Sequence, residues 1–161
     1  MGYYRQICSE NNSQEIAKEF MARIKLDLPE RFVFSTEITV RIDDINYGGH
    51  LGNDSILSII HEARMRFLKN FGFSELNVGD ASLIMGDVAI VFKSEGFHGD
   101  IILVEMAAVD FSNSGFDIFY KLTNRQTGKD VAHAKTGMVC FDYKNRKVMA
   151  VPQVFKDAVS K

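Results

Sequence analysis

Tryptophan is absent from these 161 residues, and only two prolines and two cysteines occur in them. Cys8 and Cys140 stand far apart and match no zinc or redox spacing, so two reduced thiols are expected, with no disulfide framework. No apolar run approaches the ~18 residues that a membrane-spanning helix needs. The first residues, MGYYRQICSENNS, lack the apolar core of a secretory signal. A basic run is missing too: 19 Lys and Arg against 21 Asp and Glu give a net charge of −2, with the signs mixed. Neither nucleic acid nor an anionic membrane is an expected partner. The four histidines are scattered, without metal-ligand spacing. A soluble, cytoplasmic, metal-free protein is expected, folded as one domain over residues 1–161, because this length supports one core and not two.

What the chain does have is concentrated between Arg41 and Phe71, RIDDINYGGHLGNDSILSIIHEARMRFLKNF. A polar loop with two adjacent glycines runs directly into the longest apolar helical pattern, at about residues 53–71. Ile56, Leu57, Ile59, Ile60, Ala63, Phe67, Leu68 and Phe71 leave little of that helix polar, which predicts a buried helix. Its first turn offers unbonded N–H groups and the positive end of the helix dipole, an environment suited to a developing oxyanion. Asn46, His50 and Asn53 gather ahead of it, and Glu62 follows within it.

The rest of the chain falls into place around this stretch. Residues 1–30 read as an N-terminal extension with an amphipathic helix starting near Ser13, carrying Ile16, Ala17, Phe20, Ile24 and Leu28 at helical spacing and ending at Leu28-Pro29. Residues 32–151 form the core. Phe32–Ile42 alternates as a strand with one face buried. Gly72 ends the helix, and 73–80 is expected as a surface connection. Strands follow at 82–93 (with a bend at Gly86-Asp87), 101–111, 116–123, 131–143 and 148–151, separated by turns at 98–100, 112–115, 127–130 and 144–146. Residues 153–159 close the chain as a short helix. One buried helix followed by a meander of strands makes the fold class α+β, with the sheet curled around the helix.

At Asp44-Ile45-Asn46-Tyr47-Gly48-Gly49-His50, Ile59-Ile60-His61-Glu62-Ala63-Arg64 and Phe67-Leu68, the chain resembles the hotdog-fold thioesterases of the 4-hydroxybenzoyl-CoA thioesterase-like superfamily. Those proteins carry a D-x-D-x-x-G-H/V-x-x-N loop and a helix of the form Y-x-x-x-x-E-x-A-R. The resemblance extends over residues 33–155. It implies a hotdog fold, an antiparallel sheet wrapped around one central helix, and hydrolysis of an acyl thioester of coenzyme A in preference to acyl carrier protein. No cofactor is implied beyond the thioester substrate. A homodimer or dimer of dimers is implied, joined edge to edge, and apolar side chains expected on both sheet faces point the same way.

Asn46 departs from the family, which often has a carboxylate there. Plant acyl-carrier-protein thioesterases pair a loop histidine with a helix glutamate, and the similarity moves the base role to Glu62. Its alternative is an (i, i+4) ion pair with Arg66. Asn46 and His50 would place water and carbonyl, although both also suit loop stabilisation. Tyr47, Gly48, Gly49, Leu51, Gly52, Asn53 and Ser58 are the expected substrate contacts. Asn53 or Asp54 is the expected N-cap, and the amides of His50 to Asn53 are the oxyanion candidates. Two rivals remain: a hotdog dehydratase or hydratase, which Gly49-His50-Leu51-Gly52-Asn53 faintly resembles, and a non-catalytic thioester binder.

Overall fold

The structure, a computed structural model, describes residues 24–160. Six antiparallel strands form its sheet: β1 (Phe34–Thr39), β2 (Ser82–Phe92), β3 (Ile101–Val109), β4 (Gly115–Asn124), β5 (Asp130–Asp142) and β6 (Lys147–Val148). Their order is β1-β3-β4-β5-β2, with β6 paired to the end of β5 at Phe141 and Asp142. Helix α1 (Asn53–Asn70) lies against the sheet, and α2 (Gln153–Val159) closes the chain. The expected bend at Gly86 is a register shift in the β2–β5 ladder between Met85 and Asp87. Gly115 opens β4 because a Cβ there would come within 2.6 Å of the Met138 carbonyl oxygen, a close approach that only glycine permits.

Alternation decides which face holds the core. Ile102, Val104 and Met106 of β3, Ile118, Tyr120 and Leu122 of β4, and Ala132, Ala134 and Cys140 of β5 all point inward. Against them α1 lays Ile56, Ile59, Ile60, Ala63, Phe67 and Leu68. The Phe67 ring meets Phe34 of β1 edge-on at 5.7 Å. Each such large apolar side chain stabilises the fold by about 1.5–3 kcal/mol when fully buried.

Several expectations change here. Helix α1 is amphipathic, not buried all round: Asn53, Asp54, Ser58, His61, Glu62, Arg66, Lys69 and Asn70 are exposed. A period of 3.6 residues places these positions on the side away from the sheet. The outer sheet face carries apolar side chains such as Leu103, Phe119 and Val139, as expected, but charged pairs are set among them. Lys121 pairs with Glu105 and Asp130, and Lys135 lies between Asp87 at 2.8 Å and Asp117 at 3.3 Å. Edge strand β2 carries exposed apolar side chains of its own, Met85, Val88 and Phe92. The connection 73–80 runs over the surface, with Ser74, Leu76, Asn77 and Asp80 exposed, but it is anchored there: Val78 is fully buried and Glu75 binds the buried Arg64 at 2.6 Å. Of the amphipathic helix expected after Ser13, most lies outside the described residues, and its described end, residues 24–28, is not helical.

Candidate functional site

The loop before α1 is closed by its own polar atoms. Asn46 Oδ1 accepts from the backbone N–H of Gly48 at 2.9 Å and of His50 at 3.3 Å, while Asn46 N–H donates to the His50 carbonyl at 2.8 Å. An asparagine folding its side chain onto the backbone two residues on is the chemistry of an Asx turn. Asp44 fastens the other side: its carboxylate accepts from Arg41 N–H at 2.8 Å and from the guanidinium at 3.2 Å. Burial alone would push the Asp44 carboxyl up, but the side-chain and backbone hydrogen bonds from Arg41, together with its charge, outweigh burial and hold it below the ordinary value.

This bonding corrects the oxyanion assignment. His50 N–H is taken by Asn46, Leu51 N–H donates to Gly96 O at 2.8 Å, and Gly52 N–H donates to Asp44 O at 2.8 Å. Three of the four candidate amides are therefore committed. The N-cap is Gly52, not Asn53 or Asp54, and it supplies no side-chain cap. The first-turn amides of Asn53, Asp54 and Ser55 precede the first intrahelical bond, from Ile56 N–H to Gly52 O, and of the three residues Asn53 lines the cleft described next.

Beside that helix start lies a cleft of about 300 Å3, lined in part by Asn46, His50, Asn53, Phe92, Glu95 and Gly96. His50 Nδ1 sits 2.9 Å from Glu95 Oε1, and the imidazole packs on Phe97 at 5.4 Å between ring centroids. The residue that sequence reasoning missed is Glu95. The loop and the segment after β2 meet only through the fold, joined by the Leu51–Gly96 bond, so no local spacing signals the pair.

Glu62 lies elsewhere. A second cleft, about 590 Å3, is lined in part by Arg41, Ser58, His61, Glu62 and Arg66, and it shares no lining residue with the first. Glu62 Oε1 accepts from Arg66 Nε at 2.7 Å, and Arg66 also donates to Thr36 Oγ1 and Glu37 O. Within the described chain, the expected trio of Glu62, His50 and Asn46 is thus divided between two clefts. Among the expected substrate contacts, Leu51 and Asn53 line the first cleft with Asn46 and His50, while Ser58 joins Glu62. Tyr47 is fully exposed at the loop tip, and Gly48, Gly49 and Gly52 shape the backbone without lining the cleft, Gly49 at φ +81.

Two of the remaining histidines pair with carboxylates outside the first cleft. His61 Nε2 is 3.6 Å from Glu75, and His133 Nε2 is 2.8 Å from Asp130 on the outer sheet face. Among the described residues, no group of three or more His, Cys, Asp or Glu side chains could hold a metal ion. No described helix is long and apolar enough to cross a membrane. Cys140 is a free thiol in β5, pushed up to about 11 by burial, which keeps it protonated and a poor nucleophile at neutral pH.

Residues 40–159 match the model of the thioesterase-like superfamily. A 1,4-dihydroxy-2-naphthoyl-CoA hydrolase of Synechocystis is 27% identical over 129 residues, 78% of this chain and 94% of that protein. The crystal structure of a 1,4-dihydroxy-2-naphthoyl-CoA thioesterase from Synechocystis superposes with a TM-score of 0.73 at 27% identity, covering 80% of this chain and 96% of that one. A Staphylococcus aureus protein solved in complex with CoA superposes with a TM-score of 0.71 at 20% identity, covering 84% and 86%. The sheet order and the helix against it are shared with these structures as a hotdog fold.

Proposed function

Because this chain belongs to the thioesterase-like superfamily, we propose that it hydrolyses an acyl-CoA thioester in the cleft at the start of α1. The observation that carries the siting is the meeting of His50 with the open first turn of α1 in one cleft. His50 accepts a proton from water, and the water oxygen bonds to the thioester carbon. Charge gathers on the carbonyl oxygen within reach of the Asn53 amide, where an oriented donor contributes about 3–4 kcal/mol to the transition state. Collapse breaks the C–S bond, and the proton on His50 passes to the departing thiolate. Asn46 holds the loop and lines the cleft. The chemistry needs no cofactor besides the substrate.

Phe92, at the end of the exposed β2 edge, also lines this cleft. Two copies pairing their β2 edges about a twofold axis would cover Met85, Val88 and Phe92 and bring the partner to the rim. A homodimer, alone or as half of a dimer of dimers, is the assembly this supports, and the CoA substrate suits the cytoplasm. A monomer in sedimentation at micromolar concentration would count against it.

Thiol release from a panel of aromatic, short and long acyl-CoA esters tests the activity. The aromatic members are included because the Synechocystis relative is named for an aromatic acyl-CoA. Wild type is expected to release thiol from at least one ester, and His50→Ala to lose on the order of 100-fold in turnover. A dehydrated or hydrated acyl product without thiol would identify the rival enzyme class. Ligand-induced stabilisation without turnover would identify a binder.

A further inference from the structure

Glu95 belongs to no motif, yet its segment is pinned on both sides of it. Ser94 Oγ donates to Asp130 O at 2.7 Å, Gly96 O accepts from Leu51 N–H at 2.8 Å, and Phe97 N–H donates to Asp100 Oδ2 at 2.9 Å. At Gly96 a Cβ would lie 3.2 Å from Leu51, so the segment docks closely on the site loop. The backbone around Glu95 is therefore fixed relative to His50 before any contact between their side chains. Ordinary surface ion pairs lack this support and contribute little, since each long side chain must be immobilised by the pair alone.

We propose that Glu95 is the positioning residue of the hydrolytic reaction, holding the His50 imidazole in the tautomer and orientation that its role as base requires. This rests on the reading of the cleft as the site of thioester hydrolysis. An ionised carboxylate only accepts hydrogen bonds. With Oε1 2.9 Å from Nδ1, the ring hydrogen of neutral His50 lies on Nδ1. Nε2 then carries the lone pair, and no protein partner occupies it among the described residues. Phe97 packs on the ring and limits its rotation. When Nε2 takes the proton of water, Glu95 faces the imidazolium and remains ionised, and that same proton later leaves with the thiolate. No atom of Glu95 enters the products.

The test compares wild type, Glu95→Ala, His50→Ala and the double variant in steady-state hydrolysis of the best panel ester. Nitrogen-15 NMR of the imidazole is recorded alongside. Glu95 is solvent-exposed, so the alanine variant is expected to fold, which circular dichroism checks. The expected result is a fall in kcat of about tenfold or more in Glu95→Ala with KM within about twofold, and no further loss when it is added to His50→Ala. The wild-type imidazole is expected as the single Nδ1–H tautomer, giving way to a mixture in Glu95→Ala. An active wild type whose kcat survives Glu95→Ala overturns the proposal alone, as does a change confined to KM or an Nε2–H tautomer in wild type. A wild type inert on every ester overturns the hydrolytic reading and takes the proposal with it.

Discussion

The two clefts along α1 each place a carboxylate beside a basic side chain, but they are built in opposite ways. Glu62 and Arg66 stand one turn apart on a single helix, both about half exposed, and Arg66 also donates through Nη1 to the edge strand β1. His50 and Glu95 come from two segments brought together by a backbone hydrogen bond, next to helix amides with no cap. The first arrangement fastens a helix to a strand. The second presents a nitrogen lone pair and open N–H groups to the same small volume. A carboxylate on a family-like helix is therefore weaker evidence for catalysis than a base beside a donor that nothing else uses.

The sharpest way to break the contrast is at the helix start. Proline is well tolerated at the first helical position, and Gly52 already has the extended φ −65, ψ 146 that a residue before proline prefers. Asn53→Pro should thus keep the helix while deleting the amide, lowering kcat by about 10²–10³. Asn53→Ala, which keeps the amide, should lose far less. Equal losses in the two variants would assign the effect to the side chain.

Acid gives a smaller effect through the loop. The Asp44 carboxyl is held below its ordinary value of 3.8, so the folded state favours the ionised form. Its contribution to stability is fully present above the unfolded value and is lost as the pH falls through the folded one. Urea midpoints scanned from about pH 5 down to about pH 2 should fall less steeply in Asp44→Asn than in wild type. Parallel curves would show that Asp44 contributes no acid sensitivity.

The smallest effect belongs to the other cleft. Glu62→Gln removes an exposed (i, i+4) pair, with a stability change of about 0.3–0.5 kcal/mol and turnover within about twofold of wild type. Abolished thiol release in a folded Glu62→Gln protein would restore Glu62 as the base and reverse the ranking of the two clefts.

The sequence exposes what is local and hides what is not. The span of α1, the bend at Gly86 and the hairpin turn before Gly115 follow from periodicity and turn chemistry within a few residues. The burial of α1 was overstated because its apolar count conceals a second face, where Ser58, Glu62 and Arg66 are joined by Asn53, His61 and Lys69. The outer sheet face does carry apolar side chains, Leu103, Phe119 and Val139 among them, but the charged pairs set between them were hidden for a related reason. Lys121 and Lys135 look like isolated charges along their strands and become paired only across them. At the site, Asn46, His50, Leu51 and Asn53 were legible because they crowd one loop. Glu95 was not, because its partner lies on the far side of α1 and β2 in sequence. Gly52 as N-cap was hidden by the better-capping residues that follow it.

The Leu51–Gly96 bond also bears on how the molecule comes to be folded. Strands β3, β4 and β5 pair with their neighbours in sequence, and such local closures are fast. The β1–β3 ladder instead joins Thr39 to Ile101, enclosing the loop, α1 and β2 in one long closure, and β2 must find β5 across two intervening strands. Each of these costs loop entropy before its contacts form. His50 and Glu95 lie within the late-closing part, so a refolding chain is expected to acquire its meander first and the His50–Glu95 contact last. Recovery of thiol release that lags the far-ultraviolet signal would display that order, and simultaneous recovery would rule it out.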